Sequence, residues 1–146
     1  MQRQQHHREK RDEMNTENVE LAVRYAQAWA DHDPDAIVAM HTEDTVFHTH
    51  GMGEPVVGAP AMRDAVAALF AQSPDLAFER KTEYFGDDHI VTEYVVSATV
   101  DGVHAACDGC DVFQIRDGRM ARKDSYIDLA AYQRQLGVDL AVSQAT

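Results

Sequence analysis

The chain has 146 residues, 45% of them apolar and 26% charged, with a formal net charge of −12. That length suits one domain with a single core. The acidity argues against a nucleic-acid or anionic-membrane partner, whose surfaces require clustered Lys and Arg, and no window approaches the roughly 18 apolar residues of a membrane span.

In chain order, "RQQHHREKR" (Arg3 to Arg11) holds most of the clustered basic residues and no apolar one. Residues 1–14 are therefore expected to form a disordered polar arm. The segment lacks the apolar stretch of a secretory signal. Two cysteines, Cys107 and Cys110, are too few for a disulfide framework, so a cytoplasmic protein with reduced thiols is expected. Residues 15–138 read as the single domain and 139–146 as a tail. A first helix follows from Asn15 or Thr16, with Val19, Ala22, Val23, Ala26 and Trp29 at helical spacing. Asp33-Pro34 opens a second helix as cap and first-turn proline. After a short strand, "GAPAMRDAVAALFAQ" gives a third helix, closed by Ser73-Pro74. From Leu76 the period changes to that of strands. "LAFERKTEYFG", "HIVTEYVVSATV", "VHAACDGCDVFQI" and "RMARKDSYIDL" are four strand-like runs separated by "GDD", "DG" and "RDG" turns. Asp108-Gly109 inside the third run signals a bulge or an early break. A last helix, "DLAAYQRQLG", stops at Gly137. Segregated helices and a mostly antiparallel sheet make an α+β fold, in which a curled sheet can hold a small ligand.

"VFHTHG", Val46 to Gly51, raises the question of chemistry. On a strand, His48 and His50 point the same way. Imidazole titrates near neutrality, so one of them can act as a general base; the alternatives are structural rim histidines or metal ligands. A metal needs three converging ligands, and the local set His41, His48 and His50 comes with no carboxylate at a recognisable spacing. Proton handling without a metal is the preferred reading. In "CDVFQI" Asp111 alternates with Phe113 and Ile115, which puts a carboxyl on an apolar face. It must be hydrogen-bonded or protonated there, as a neutral pocket acid or as a structural Asp tied to a neighbour. Tyr25 is a core tyrosine or a pocket hydroxyl, with Trp29 one turn later as wall. Cys107 and Cys110, three apart on a strand, face opposite ways and read as packing residues.

The strings "RYAQAWADHDPDAIVAMHTEDTVFH", "EPVVGAPAMRDAV", "SPDLAFE" and "DVFQIRDGRMARKDSYIDLAAYQRQLG" resemble the SnoaL-like polyketide cyclase and ketosteroid isomerase group of the nuclear-transport-factor-like superfamily. The resemblance spans roughly Asn18 to Gly137. It implies a curved, mixed sheet of mainly antiparallel strands wrapped around N-terminal helices, forming a conical pocket in a cystatin-like roll. Ketosteroid isomerases pair a helix Tyr with a protonated strand Asp as an oxyanion hole; Tyr25 and Asp111 match these. Their proton-moving Asp falls at about Thr49, between His48 and His50, where no carboxylate stands. Relatives that hydrolyse epoxides carry an Arg and a second Asp where Gly109 and Ser125 stand here, which disfavours that reaction.

The expectation is therefore a cofactor-free isomerase, cyclase or lyase for a hydrophobic carbonyl compound of polyketide or steroid type. His48 or His50 would be the base, Asp111 and Tyr25 the oxyanion donors. Trp29, Phe113 and Tyr126 would line the wall, with no metal. The alternative is a non-catalytic ligand-binding or dimerisation module. Both faces of "IVTEYVVSATV" are fairly apolar, and members of the superfamily commonly pair through the outer sheet face. A homodimer is expected there, with Glu93 on that face.

Overall fold

The computed structural model describes residues 1–137. The expected tail, 139–146, lies outside the described residues. The elements are α1 (Gln2–Ala30), α2 (Pro34–Ala39), β1 (His41–Thr49), β2 (Val56–Val57), α3 (Ala59–Gln72), β3 (Ala77–Phe85), β4 (His89–Val100), β5 (Val103–Arg116), β6 (Arg119–Ile127) and α4 (Leu129–Gln135). Among them no helix is long and apolar enough to cross a membrane.

One difference from the sequence expectation lies at the start. Residues 2–14 continue α1 instead of forming an irregular arm, although every side chain of residues 1–14 is exposed. Gln, Arg, Lys, Glu and Met lose little rotamer freedom in a helix, so the segment extends α1 without touching the core. Asn18 is the first residue to be buried, and its amide donates to the Gly86 carbonyl at 2.8 Å, fixing α1 to the β3–β4 turn. The second helix starts as expected, with the Asp33 carboxylate accepting from Ala36 N–H and Pro34 in the first turn.

Six strands form one mixed sheet in the order β2-β1-β6-β5-β4-β3. All pairs are antiparallel except β1 with β6, which is parallel. Asp101-Gly102 and Asp117-Gly118, all at positive φ, make the β4–β5 and β5–β6 turns, the mirror-type geometry that tight hairpins favour. No break occurs at Asp108-Gly109: β5 runs through it, with Gly109 paired to Tyr94 and to Ile127. Bulges lie elsewhere. The register slips by one residue at Lys81 in β3 and again at Ala121 in β6, bending the strands and resetting which side chains turn inward. The inner face carries the core, where Leu21, Ala22, Tyr25, Trp29, Met62, Val66, Ile90, Phe113 and Met120 pack together.

Candidate functional site

Between the helices and the inner sheet face are two hollows, of about 250 Å³ and about 390 Å³. Trp29, Leu76, Phe78, Tyr94 and Lys123 border both, forming a partition. The smaller hollow reaches Tyr25, Thr92, Asp111 and Phe113, with the Arg80–Glu83 ion pair among its polar lining. The larger runs under α3 towards Phe47, Thr49, Ser125 and Tyr132.

Lys123 is the centre of this partition. It is 3% exposed, and its Nζ lies 3.6 Å from Asp111 Oδ2. The ammonium also sits 4.1 Å from the Trp29 ring centre and within 5.2–5.7 Å of the rings of Phe47, Tyr25 and Phe113, an aromatic cage filled by the protein's own cation. Burial pulls the ammonium towards its neutral form, but the Asp111 carboxylate and the Tyr25 oxygen outweigh it, and the pKa lies above the ordinary lysine value. Asp111, buried in turn, accepts a hydrogen bond from the Tyr94 hydroxyl at 2.8 Å. Burial first, and the Asp111 charge second, push Tyr94 well up, so it remains a donor. Gly109 makes this contact possible: a Cβ there would lie 2.4 Å from Tyr94 Cε2, where the ring now crosses β5 to reach Asp111.

Tyr25 belongs to a second, directional chain. Thr45 Oγ1 donates to the Met120 carbonyl at 3.3 Å, and a carbonyl only accepts. Thr45 must then accept from His41 Nδ1–H, 2.9 Å away, which leaves His41 Nε2 as an acceptor. Tyr25 O–H, 2.9 Å from that nitrogen, donates to it. The His41 ring is held neutral, its pKa depressed to about 3 by burial and by the nearby Lys123 charge. Burial also raises Tyr25. The Tyr25 proton is thus committed to His41, and its oxygen is an acceptor on the Lys123 side.

The residues singled out from sequence separate into two groups. Asp111, Tyr25, Trp29 and Phe113 border the smaller hollow. Tyr25, however, is oriented as an acceptor instead of the expected oxyanion donor. Asp111 accepts from the Tyr94 hydroxyl at one oxygen and faces the Lys123 ammonium with the other. His48, His50 and Tyr126 are not in either hollow. Phe47 and Thr49 point inward, so the residues alternating with them stand on the outer face, where the His50 ring stacks on Tyr126 at 4.2 Å. His48 and His50 are thus across the sheet from Asp111 and cannot serve as its partner base. Sequence reasoning missed Lys123 and Tyr94, and weighed His41 only as a metal ligand. Tyr94 carried a signal, a hydroxyl on the more apolar face of β4; Lys123, flanked by the charged Arg122 and Asp124, carried none.

The model of the SnoaL-like domain family matches residues 22–123. No curated protein matches the sequence. Among solved structures, a hypothetical protein with a ketosteroid isomerase-like fold from Catenulispora acidiphila DSM 44928, in complex with trimethylamine, superposes with a TM-score of 0.75 at 20% identity, covering 82% of this chain and 94% of that one. TerC co-crystallized with polyporic acid gives 0.73 at 17% identity, covering 84% and 99%. An M. tuberculosis LEH-like epoxide hydrolase gives 0.74 at 17% identity, covering 90% and 97%. Likeness at these identities reports the shared architecture alone. With its helices on the inner face of one curled sheet and a family match across most of its length, the chain belongs to the SnoaL-like domain family.

Proposed function

We propose that this chain is an acid–base enzyme of the isomerase, cyclase or lyase type, acting on a hydrophobic carbonyl compound, with Lys123 and Asp111 in place of a histidine base. The observation that carries the reading is the buried Lys123–Asp111 pair on the wall between two hollows. Desolvating two charges is costly and seldom improves stability over apolar packing, so such a pair beside open volume fits a working centre better than a filler. The Lys123 ammonium would donate to the carbonyl oxygen and hold the developing enolate, and the Asp111 carboxylate would take the proton from the adjacent carbon. Tyr94 would hold Asp111, and Trp29, Phe78 and Phe113 would supply apolar walls. The Catenulispora relative is described with trimethylamine and TerC with polyporic acid. Here Lys123 already fills the aromatic cage, which favours a ligand bearing acceptor oxygens over an organic cation.

The test is proton exchange. A panel of hydrophobic ketones and quinones with enolisable hydrogens is incubated in D₂O with the protein, and deuterium uptake is followed by NMR. The parent is expected to accelerate exchange of at least one member, and Lys123→Met and Asp111→Asn to lose about 10²-fold or more. Circular dichroism establishes that each variant folds. Binding without exchange, seen as a change in the fluorescence of Trp29, the sole tryptophan, would favour a non-catalytic ligand-binding module instead. We propose further that a second copy covers the β4–β5 part of the outer sheet face, where Val91, Val95 and Val112 stand half-buried.

A further inference from the structure

Across the sheet from the hollows, β1 and β6 bring together a different set of side chains. His48 and His50 share the outer face, and β6 runs parallel beside β1 with Asp124 directly opposite His48. One ligating atom from each of these three residues lies within 4.8 Å of the other two. Packing holds the rings: His50 lies flat on Tyr126, 9° from parallel, and its centre is 3.9 Å from that of His48. His48 Nε2 is 3.1 Å from the Gly53 carbonyl. Since a carbonyl only accepts, this nitrogen carries the proton and Nδ1 keeps its lone pair. Metal-binding histidines are commonly held this way, one nitrogen tied to a backbone oxygen and the other free. Asp124 is oriented by Arg122, whose Nε and Nη2 donate to Oδ2 and Oδ1 at 2.8 and 3.0 Å; Oδ2 retains a further lone pair, and Oδ1 regains one when His50 lets go of it.

We propose that His48, His50 and Asp124 form a site for a divalent transition-metal ion of the zinc class, with further positions open to water. Two imidazole nitrogens and one carboxylate oxygen suit zinc, whereas calcium and magnesium favour oxygen shells. His50 Nε2 now bonds to Asp124 Oδ1 at 2.8 Å; on binding it exchanges that bond for the ion and carries its proton on Nδ1. Bonds of about 2.0–2.1 Å place tetrahedral ligands roughly 3.3 Å apart, so the set closes by small side-chain rotations. The Arg122 charge opposes the ion and weakens the site. The Lys123 centre plays no part, because it faces the other side of the sheet.

The full chain, with any purification tag removed, is titrated with zinc sulfate by calorimetry. One saturable equivalent per chain is expected. His48→Ala/His50→Ala and Asp124→Asn abolish it or weaken it at least tenfold, while Arg122→Gln tightens it. His6→Ala/His7→Ala, a control for the exposed pair on α1, leaves it unchanged. All variants alter the surface or its rim, and circular dichroism verifies their folding. No saturable binding, binding that survives loss of both strand histidines or of the Asp124 charge, or binding that disappears with His6 and His7 each overturns the site.

Discussion

The proton on Tyr25 is assigned by a run of acceptors that ends at the Met120 carbonyl. This has a measurable consequence in His41. Its pKa falls from 6.5 in the unfolded chain to about 3 in the fold, so between those values the unfolded state binds a proton that the folded state refuses. Stability therefore falls as pH drops from about 6.5 towards 3, by up to about 4–5 kcal/mol if nothing rearranges. Urea unfolding at pH 7, 5.5 and 4.5 should show this slope in the parent. In His41→Gln, which keeps a donor and an acceptor but does not titrate, stability should be lower at pH 7 and flatter below it. Equal slopes in the two proteins would rule out His41 as their source. Residues also mark where the site was hidden from sequence. Alternation alone, carried along β6 from Met120, turns Tyr126 inward and Lys123 outward; the slip at Ala121 reverses both. Nothing in "RMARKDSYI" announces that extra residue. For His48 and His50, alternation gave a shared face correctly, but Phe47 and Thr49 are little more apolar than their neighbours, so the side was ambiguous.

Helices and strands were far more legible than the site, because period, caps and turns are local. Asp33-Pro34, Ser73-Pro74 and the Asp-Gly turns each set an element boundary within a residue or two of where it falls. Where sequence failed, at residues 2–14, the reason is that good helix formers without an apolar stripe give no amphipathic signal. The same physics predicts that this part of α1 adds little to the fold. Its side chains are exposed, and Arg11 with Asp87, at 3.7 Å, is its ion pair to the domain, an exposed contact of small worth. Deleting residues 1–14 should move the thermal midpoint by less than ~3 °C. The amides removed should exchange with solvent much faster in the intact chain than those after Asn18, where the Gly86 hydrogen bond begins the buried portion. A loss of 10 °C or more on deletion would mean that the segment packs against something, a second copy being the first candidate.

At the scale of the molecule, the two faces of one sheet carry different chemistry, and alternation keeps them apart. The inner row Thr92, Asp111, Ser125 and Thr49 and the outer row Val91, Val112, Asp124 and His48 are each built from directly paired residues on β4, β5, β6 and β1. A change on one face therefore leaves the other in register. Half-buried valines on a sheet face that no described element covers expose apolar area that a monomer gains by hiding, and a self-complementary patch does so with two-fold symmetry. Light scattering coupled to size exclusion should give twice the chain mass at micromolar concentration. Val95→Asp with Val112→Arg should reduce it to the chain mass while leaving the far-ultraviolet spectrum and ligand-induced Trp29 fluorescence unchanged, since both substitutions point away from the hollows. A parent that runs at the chain mass across the accessible range would refute pairing. A double variant that remains a dimer would move the contact off β4 and β5, leaving the β1–β6 side, with His50 and Tyr126, or the exposed start of α1 to provide it.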